Sequence, residues 1–140
     1  MISIEKIYSL FKKSSGINTD SRVKQKNALF FALSGENFDG NEFVENAIEN
    51  GCLAAICSNK RLANNENIFY VENTLNTLQK LANYHRKQLK TPIIAITGTN
   101  GKTTTKELIS TILAQTHRVA YTSGNKNNHI GVPLTILSMN

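Results

Sequence analysis

Residues 93–106 read IIAITGTNGKTTTK, and this stretch decides what kind of fold the chain has. Ile93, Ile94, Ala95 and Ile96 form an apolar run with no polar alternation, the pattern of a strand buried on both faces. A turn follows, with glycines at 98 and 101, and then Lys102, Thr103 and a helix-compatible sequence over 104–115. Glycines let several backbone N–H groups converge on one anion, and the positive end of the following helix points to the same place. Lys102 supplies a mobile cation for β- and γ-phosphates, and the Thr103 hydroxyl can reach a bound Mg²⁺. The residue five before Gly101 is Ile96, so the stretch departs from the G-x-x-x-x-G-K-[ST] spacing. The order strand, turn, helix therefore carries the reading. Gly98, Thr99, Asn100, Gly101, Lys102, Thr103 and Thr104 are the expected contacts of a nucleoside triphosphate, with Thr103 as the metal ligand.

Charge along the chain agrees with an anionic ligand on the second half. The net charge is +6, divided as −1 over residues 1–72 and +7 over 73–140, where Glu107 is the single acid. The basic residues form no Lys/Arg run interleaved with aromatics, so nucleic acid is not the expected partner. No apolar run approaches the ~20 residues a membrane span needs. The opening MISIEKIYSLFKK has no secretory apolar core. Cys52 and Cys57 lie five apart in a strand-like run, on opposite faces by alternation, and read as buried reduced thiols. These features together predict a cytoplasmic protein.

Upstream of the opening stretch the periodicities describe a small α/β unit. Ile4, Ile7, Tyr8 and Phe11 make an amphipathic helix over 2–12. Strands are expected at 17–22, 28–33, 53–57 and 68–71, with a turn-rich loop at 34–41. A short helix over 42–50 is expected to turn Phe43, Ala47 and Ile48 inward. A longer helix over 73–90 carries Leu75, Leu78, Leu81, Ala82 and His85 on one stripe, His85 as a packed or bridging residue. Beyond the opening stretch, a strand is expected at 118–122, an asparagine-rich loop at 123–131, and a last helix with Pro133 in its first turn.

The fold class predicted is α/β: a small N-terminal α/β domain over 1–80, then over 81–140 the start of a parallel-sheet nucleotide-binding domain built on the phosphate loop. A nucleotide-hydrolysing site of this kind needs a further acid for its metal. After Lys102 only Glu107 is available, and it reads as a surface helix residue. The second domain is thus expected to be incomplete, and the chain the N-terminal part of a larger enzyme.

Four segments together resemble the Mur ligases of peptidoglycan synthesis: TDSR at 19–22, ALFFALSGENFDGNEF at 28–43, TGTNGKTTTK at 97–106 and TSGNKNNHIGVPLT at 122–135. The last segment is most similar to the members that join D-alanyl-D-alanine to UDP-N-acetylmuramoyl-tripeptide. The alternatives are a ligase that adds an amino acid to UDP-N-acetylmuramoyl-dipeptide, and a non-catalytic nucleotide-binding module. The resemblance implies that residues 1–80 hold the UDP end of the substrate, that 98–104 bind ATP with Mg²⁺ and with Lys102 as the catalytic cation, and that an acyl phosphate forms on the tripeptide's terminal carboxylate. It also implies that these 140 residues alone are inactive as a ligase. It implies Ser21 and Arg22 as uridine or diphosphate contacts, and Asn125, Asn127 and Asn128 on the substrate side near the γ-phosphate. Many relatives carry histidine where this chain has Asn41, so an imidazole's role there does not transfer.

Overall fold

The computed structural model describes residues 2–63, 65–124 and 127–139. Its elements run α1 (Ile4–Lys13), β1 (Ile17–Asn18), β2 (Leu29–Phe31), β3 (Ser34–Gly35), β4 (Phe38–Asp39), α2 (Val44–Glu49), β5 (Ala54–Cys57), β6 (Ile68–Tyr70), α3 (Thr74–Gln88), α4 (Lys102–Leu113) and α5 (Gly131–Leu137). Strands β1, β2, β5 and β6 lie side by side in that order, every neighbour parallel, with Phe30 opposite Ala55 and Ile56 opposite Phe69. Short β3 and β4 form a separate antiparallel hairpin.

The apolar run ALFFAL has no polar alternation because β2 is covered on both faces. Alternate side chains go to opposite sides. Leu29, Phe31, Ala54 and Ile56 pack with Ile7 and Phe11 of α1, Leu78 and Leu81 of α3, and Leu137 of α5. Phe30, Ala55, Cys57 and Ile68 pack with Val44 and Ala47 of α2. The result is three layers, with α1, α3 and α5 on one side of the sheet and α2 on the other.

Local signals fix the helices. Ser3 accepts from the Lys6 amide at the head of α1, which has Glu5 in its first turn and Lys12 and Lys13 in its last. Asn73 caps α3 through the Asn76 amide at 2.8 Å, and the buried Thr74 hydroxyl donates to the Ala32 carbonyl at the end of β2. Gly40 follows the hairpin against the backbone of β2's exit. A Cβ there would sit 2.8 Å from both the Ala32 carbonyl carbon and the Leu33 nitrogen, so no side chain fits. Its own amide donates to the Leu33 carbonyl.

Several expectations need correction. The strand expected over 17–22 ends at Asn18, because Asn18 is buried and folds the chain back: its Oδ1 accepts from the Asp20 amide and its Nδ2 donates to the Val23 carbonyl. The loop at 34–41 contains the β3–β4 hairpin. A 3₁₀ turn at Gly40–Phe43 shifts the phase of α2, so Val44 and Ala47 face the core while Phe43 is exposed. Cys52 and Cys57 share one core cluster, since Cys52 precedes the strand and alternation does not govern it; both are free thiols that burial pushes up in pKa.

No strand forms at 93–96 or 118–122. A ladder needs a partner, and among the described residues none pairs with either segment; Ile93 and Ile94 lie exposed. Helix α3 spans Thr74–Gln88. Among the described residues, no helix is long and apolar enough to cross a membrane.

Candidate functional site

Helix α4 begins at Lys102, and its N-cap is Gly101 at φ +78°, a left-handed conformation that glycine adopts without strain. No side chain caps this helix; the first intrahelical bond is from the Thr105 amide to the Gly101 carbonyl at 2.9 Å. The first-turn amides, those of Lys102, Thr103 and Thr104, are the ones an α-helix leaves without an internal acceptor. They crown an exposed turn, 98–101, at the positive end of the helix dipole. Lys102 curls back over that turn, its Nζ donating to the Gly98 carbonyl and, at 3.3 Å, to the Thr99 carbonyl. An ammonium, a glycine turn and uncapped amides are thus gathered at one helix end, which suits a polyphosphate.

Thr103 and Thr104 are exposed in this first turn. Among the described residues, no cluster of three or more His, Cys, Asp or Glu side chains could hold a metal unaided. Glu107 pairs with Lys106 Nζ at 3.0 Å on the helix surface. Among the described residues the first turn of α4 offers threonine hydroxyls and no carboxylate, a set that would suit an ion carried mainly by phosphate oxygens and water.

Lys106 was not singled out from sequence, yet it is the best-anchored cation of this half. Its side chain is largely buried, its Nζ donates to the Thr122 carbonyl at 2.7 Å and lies 5.5 Å from the centre of the Tyr121 ring. It ties the segment entering the asparagine-rich loop to α4. The only sequence signal was its place one turn after Lys102.

Of the three asparagines expected on the substrate side, Asn125 lies outside the described residues. Asn127 is exposed. Asn128 Oδ1 accepts from the Ile130 and Gly131 amides at 3.1 and 2.7 Å, heading α5. Its carbonyl side is thus engaged locally, leaving the amide NH₂ to contact a ligand. The Ser21–Arg22 turn shows the same division. Arg22 makes a two-pronged pair with Asp20, Nε to Oδ1 at 2.9 Å and a terminal nitrogen to Oδ2 at 2.7 Å, while Asp20 Oδ1 also accepts the Arg22 amide. The guanidinium remains exposed.

This pair sets the Asp20 titration. The Arg22 hydrogen bonds hold its carboxyl at about 2, down from 3.8. A lowered carboxyl favours the folded turn above its unfolded value, and the contribution disappears as pH falls through about 2. NMR titration of the Asp20 carboxyl is expected to show a midpoint near 2, moving towards ~3.9 in Arg22→Ala; a wild-type midpoint near 4 would refute the pairing.

At residue 41, asparagine knits two segments together: Oδ1 accepts from the Ser58 and Asn59 amides at 2.9 and 3.2 Å, and Nδ2 donates to Asp39 Oδ1 and Ser58 Oγ. The Asp39 carboxyl, lowered chiefly by the Ser34 hydroxyl, completes the network. The clefts beside it flank α2 and do not include the phosphate-loop residues.

Two family models match the chain in succession: "Mur ligase family, catalytic domain" over residues 13–86 and "Mur ligase middle domain" over 96–140. The UDP-N-acetylmuramoyl-tripeptide--D-alanyl-D-alanine ligase of Bacillus subtilis is 46% identical over 127 residues, 89% of this chain and 28% of the relative. The chain thus spans under a third of that relative's length. Among solved structures, MurF from Acinetobacter baumannii superposes with a TM-score of 0.84 at 32% identity, over 99% of this chain and 33% of that one. The MurF ligase of Thermotoga maritima, solved in complex with ADP, gives 0.81 at 35% identity over 91% of this chain and 29% of that one. With one family model covering more than half of its residues and a second following in order, the chain belongs to the Mur ligase family.

Proposed function

We propose that these residues form the UDP-substrate unit and the ATP-gripping part of a ligase that joins D-alanyl-D-alanine to UDP-N-acetylmuramoyl-tripeptide. The observation that carries this is the uncapped head of α4 with Lys102 folded over the glycine turn. The similarity to ligases of that name, one of them solved with ADP, supplies the substrates.

In the proposed reaction the tripeptide's terminal carboxylate attacks the γ-phosphate of ATP, giving an acyl phosphate and ADP. The amine of D-alanyl-D-alanine then adds to the acyl carbon, and the tetrahedral intermediate expels inorganic phosphate. The amides of the 98–104 turn and Lys102 hold the phosphates and offset the charge that builds during transfer. Mg²⁺, when bound, neutralises phosphate charge, with the Thr103 hydroxyl as its protein ligand. Asn127 and Asn128 orient the muramoyl-peptide end through their amides, and Asn125 is assigned with them on resemblance. Ser21 and Arg22 hold the uridine diphosphate, Arg22 through a guanidinium that suits phosphate.

The division into a UDP-substrate unit over 1–80 and an ATP unit over 81–140 is part of this proposal; two family models that follow one another, over 13–86 and 96–140, support a change of domain in this region. A cytoplasmic location accompanies a reaction that consumes ATP and a UDP-linked precursor. Adding UDP-N-acetylmuramoyl-tripeptide is expected to shift the NMR signals of Asp20, Ser21 and Arg22, and ADP alone to leave them in place. If the tripeptide nucleotide leaves those signals unmoved at saturating concentration, the assignment of the first unit fails.

A further inference from the structure

Helix α5 has seven residues, too few to persist unaided, since isolated helices below ~12–15 residues are marginal in water. Its support is α3. Leu137 is buried in the core, and Ile130, Leu134 and Ile136 pack against it. Two α3 side chains also reach backbone carbonyls at the two ends of this segment. Gln79 Nε2 donates to the His129 carbonyl at 3.1 Å before α5, and His85 Nε2 lies 3.0 Å from the Met139 carbonyl after it.

His85 is 5% exposed. A carbonyl can only accept, so Nε2 carries a proton; Nδ1 lies 3.2 Å from the Tyr8 hydroxyl, a group that can donate or accept. The ring also meets Phe11 edge-on, with centroids 5.2 Å apart. Helix α1, helix α3 and the segment leaving α5 therefore meet on one imidazole.

We propose that His85 is a positioning residue that seats α5 on the first α/β unit, so that Asn128, which heads α5, and its neighbour Asn127 are held from the UDP-substrate side. Lys106 holds the other end of the loop, at Thr122, to the phosphate-loop helix. The two halves of the site would then be joined through a loop fastened to both. The functional part of this rests on the reading of Asn127 and Asn128 given above; the seating of α5 does not.

The test compares His85→Gln, His85→Asn and His85→Phe in this chain by amide hydrogen exchange. Glutamine can place an N–H where Nε2 stands, whereas asparagine reaches only the Nδ1 position. Exchange of the Leu134–Ser138 amides is expected to rise about tenfold in the Asn and Phe variants and to stay within about twofold of wild type in Gln. Amides of β2 and β5 are expected to stay protected in all three. Nitrogen chemical shifts of the wild-type ring are expected to report a proton on Nε2. Unchanged α5 exchange in Asn and Phe, equal loosening of α5 and sheet, or an Nε2 without a proton would each overturn the proposal. With UDP-N-acetylmuramoyl-tripeptide added, the Asn127 and Asn128 signals are expected to respond in wild type and Gln and to respond less in Asn. A wild type that shows no response there would sink the ligand reading of the asparagines, while the exchange data would still decide the seating.

Discussion

Lys102→Ala is expected to weaken ADP and ATP binding roughly ten- to hundredfold while leaving the fold intact. The binding loss follows from removing a charged donor, worth about 1.5–3 kcal/mol to an anionic acceptor. Lys102 Nζ already lies over the turn, against the Gly98 and Thr99 carbonyls, so little rearrangement is needed to meet a phosphate. The fold survives because this lysine sits at the exposed head of α4, outside both core clusters, where substitutions cost within about 0.5 kcal/mol. Arginine is not expected to restore binding, since its planar fork cannot replace a compact ammonium curled onto its own loop. Calorimetric titration with ADP checks the loss, and a thermal melt checks the fold.

The largest stability effect is expected at the opposite end of the chain's logic. Phe31 is fully buried on β2, a strand with neighbours on both sides, and faces the cluster that joins α1, α3 and α5 to the sheet. Phe31→Ala removes most of that side chain and leaves a cavity, at a cost of about 3–5 kcal/mol. Against a typical total of about 5–15 kcal/mol, this takes much of the stability of the unit. Phe43→Ala makes the contrast: Phe43 is 42% exposed, and its loss is expected to cost under about 1 kcal/mol. Urea denaturation of the two variants against wild type measures both. Equal costs for the two would mean that the layering described here is wrong.

That contrast also shows what the sequence could and could not disclose. The sheet was legible because β2 and β5 are short apolar runs buried on both faces, and α1 and α3 because their stripes and caps agree. Phe43 was misplaced because a 3₁₀ turn, which periodicity does not register, sets the phase of α2. The phosphate turn was legible because Gly101, Lys102 and the helix after them are contiguous. Its strands at 93–96 and 118–122 were expected from composition, but pairing depends on partners far away in the chain, and the described residues offer none. Lys106, Asn18 and Ser58 escaped notice for a related reason: their bonds go to backbone or side chains whose nearness only the fold creates. For His85 the stripe showed a packed residue, and the structure added its two partners, Tyr8 and the Met139 carbonyl.

The central proposal is that one chain carries two separate ligand sites, a phosphate grip on α4 and a UDP-substrate unit around the parallel sheet. Sequential calorimetry tests it most directly: ADP with Mg²⁺ is titrated into the protein first, then UDP-N-acetylmuramoyl-tripeptide into the same cell, with Lys102→Ala run in parallel. The account predicts one-to-one binding of each ligand in wild type with neither displacing the other, and in Lys102→Ala a weakened ADP step with the second step retained. Competition between the two ligands, or loss of both steps in Lys102→Ala with the fold intact, would contradict it.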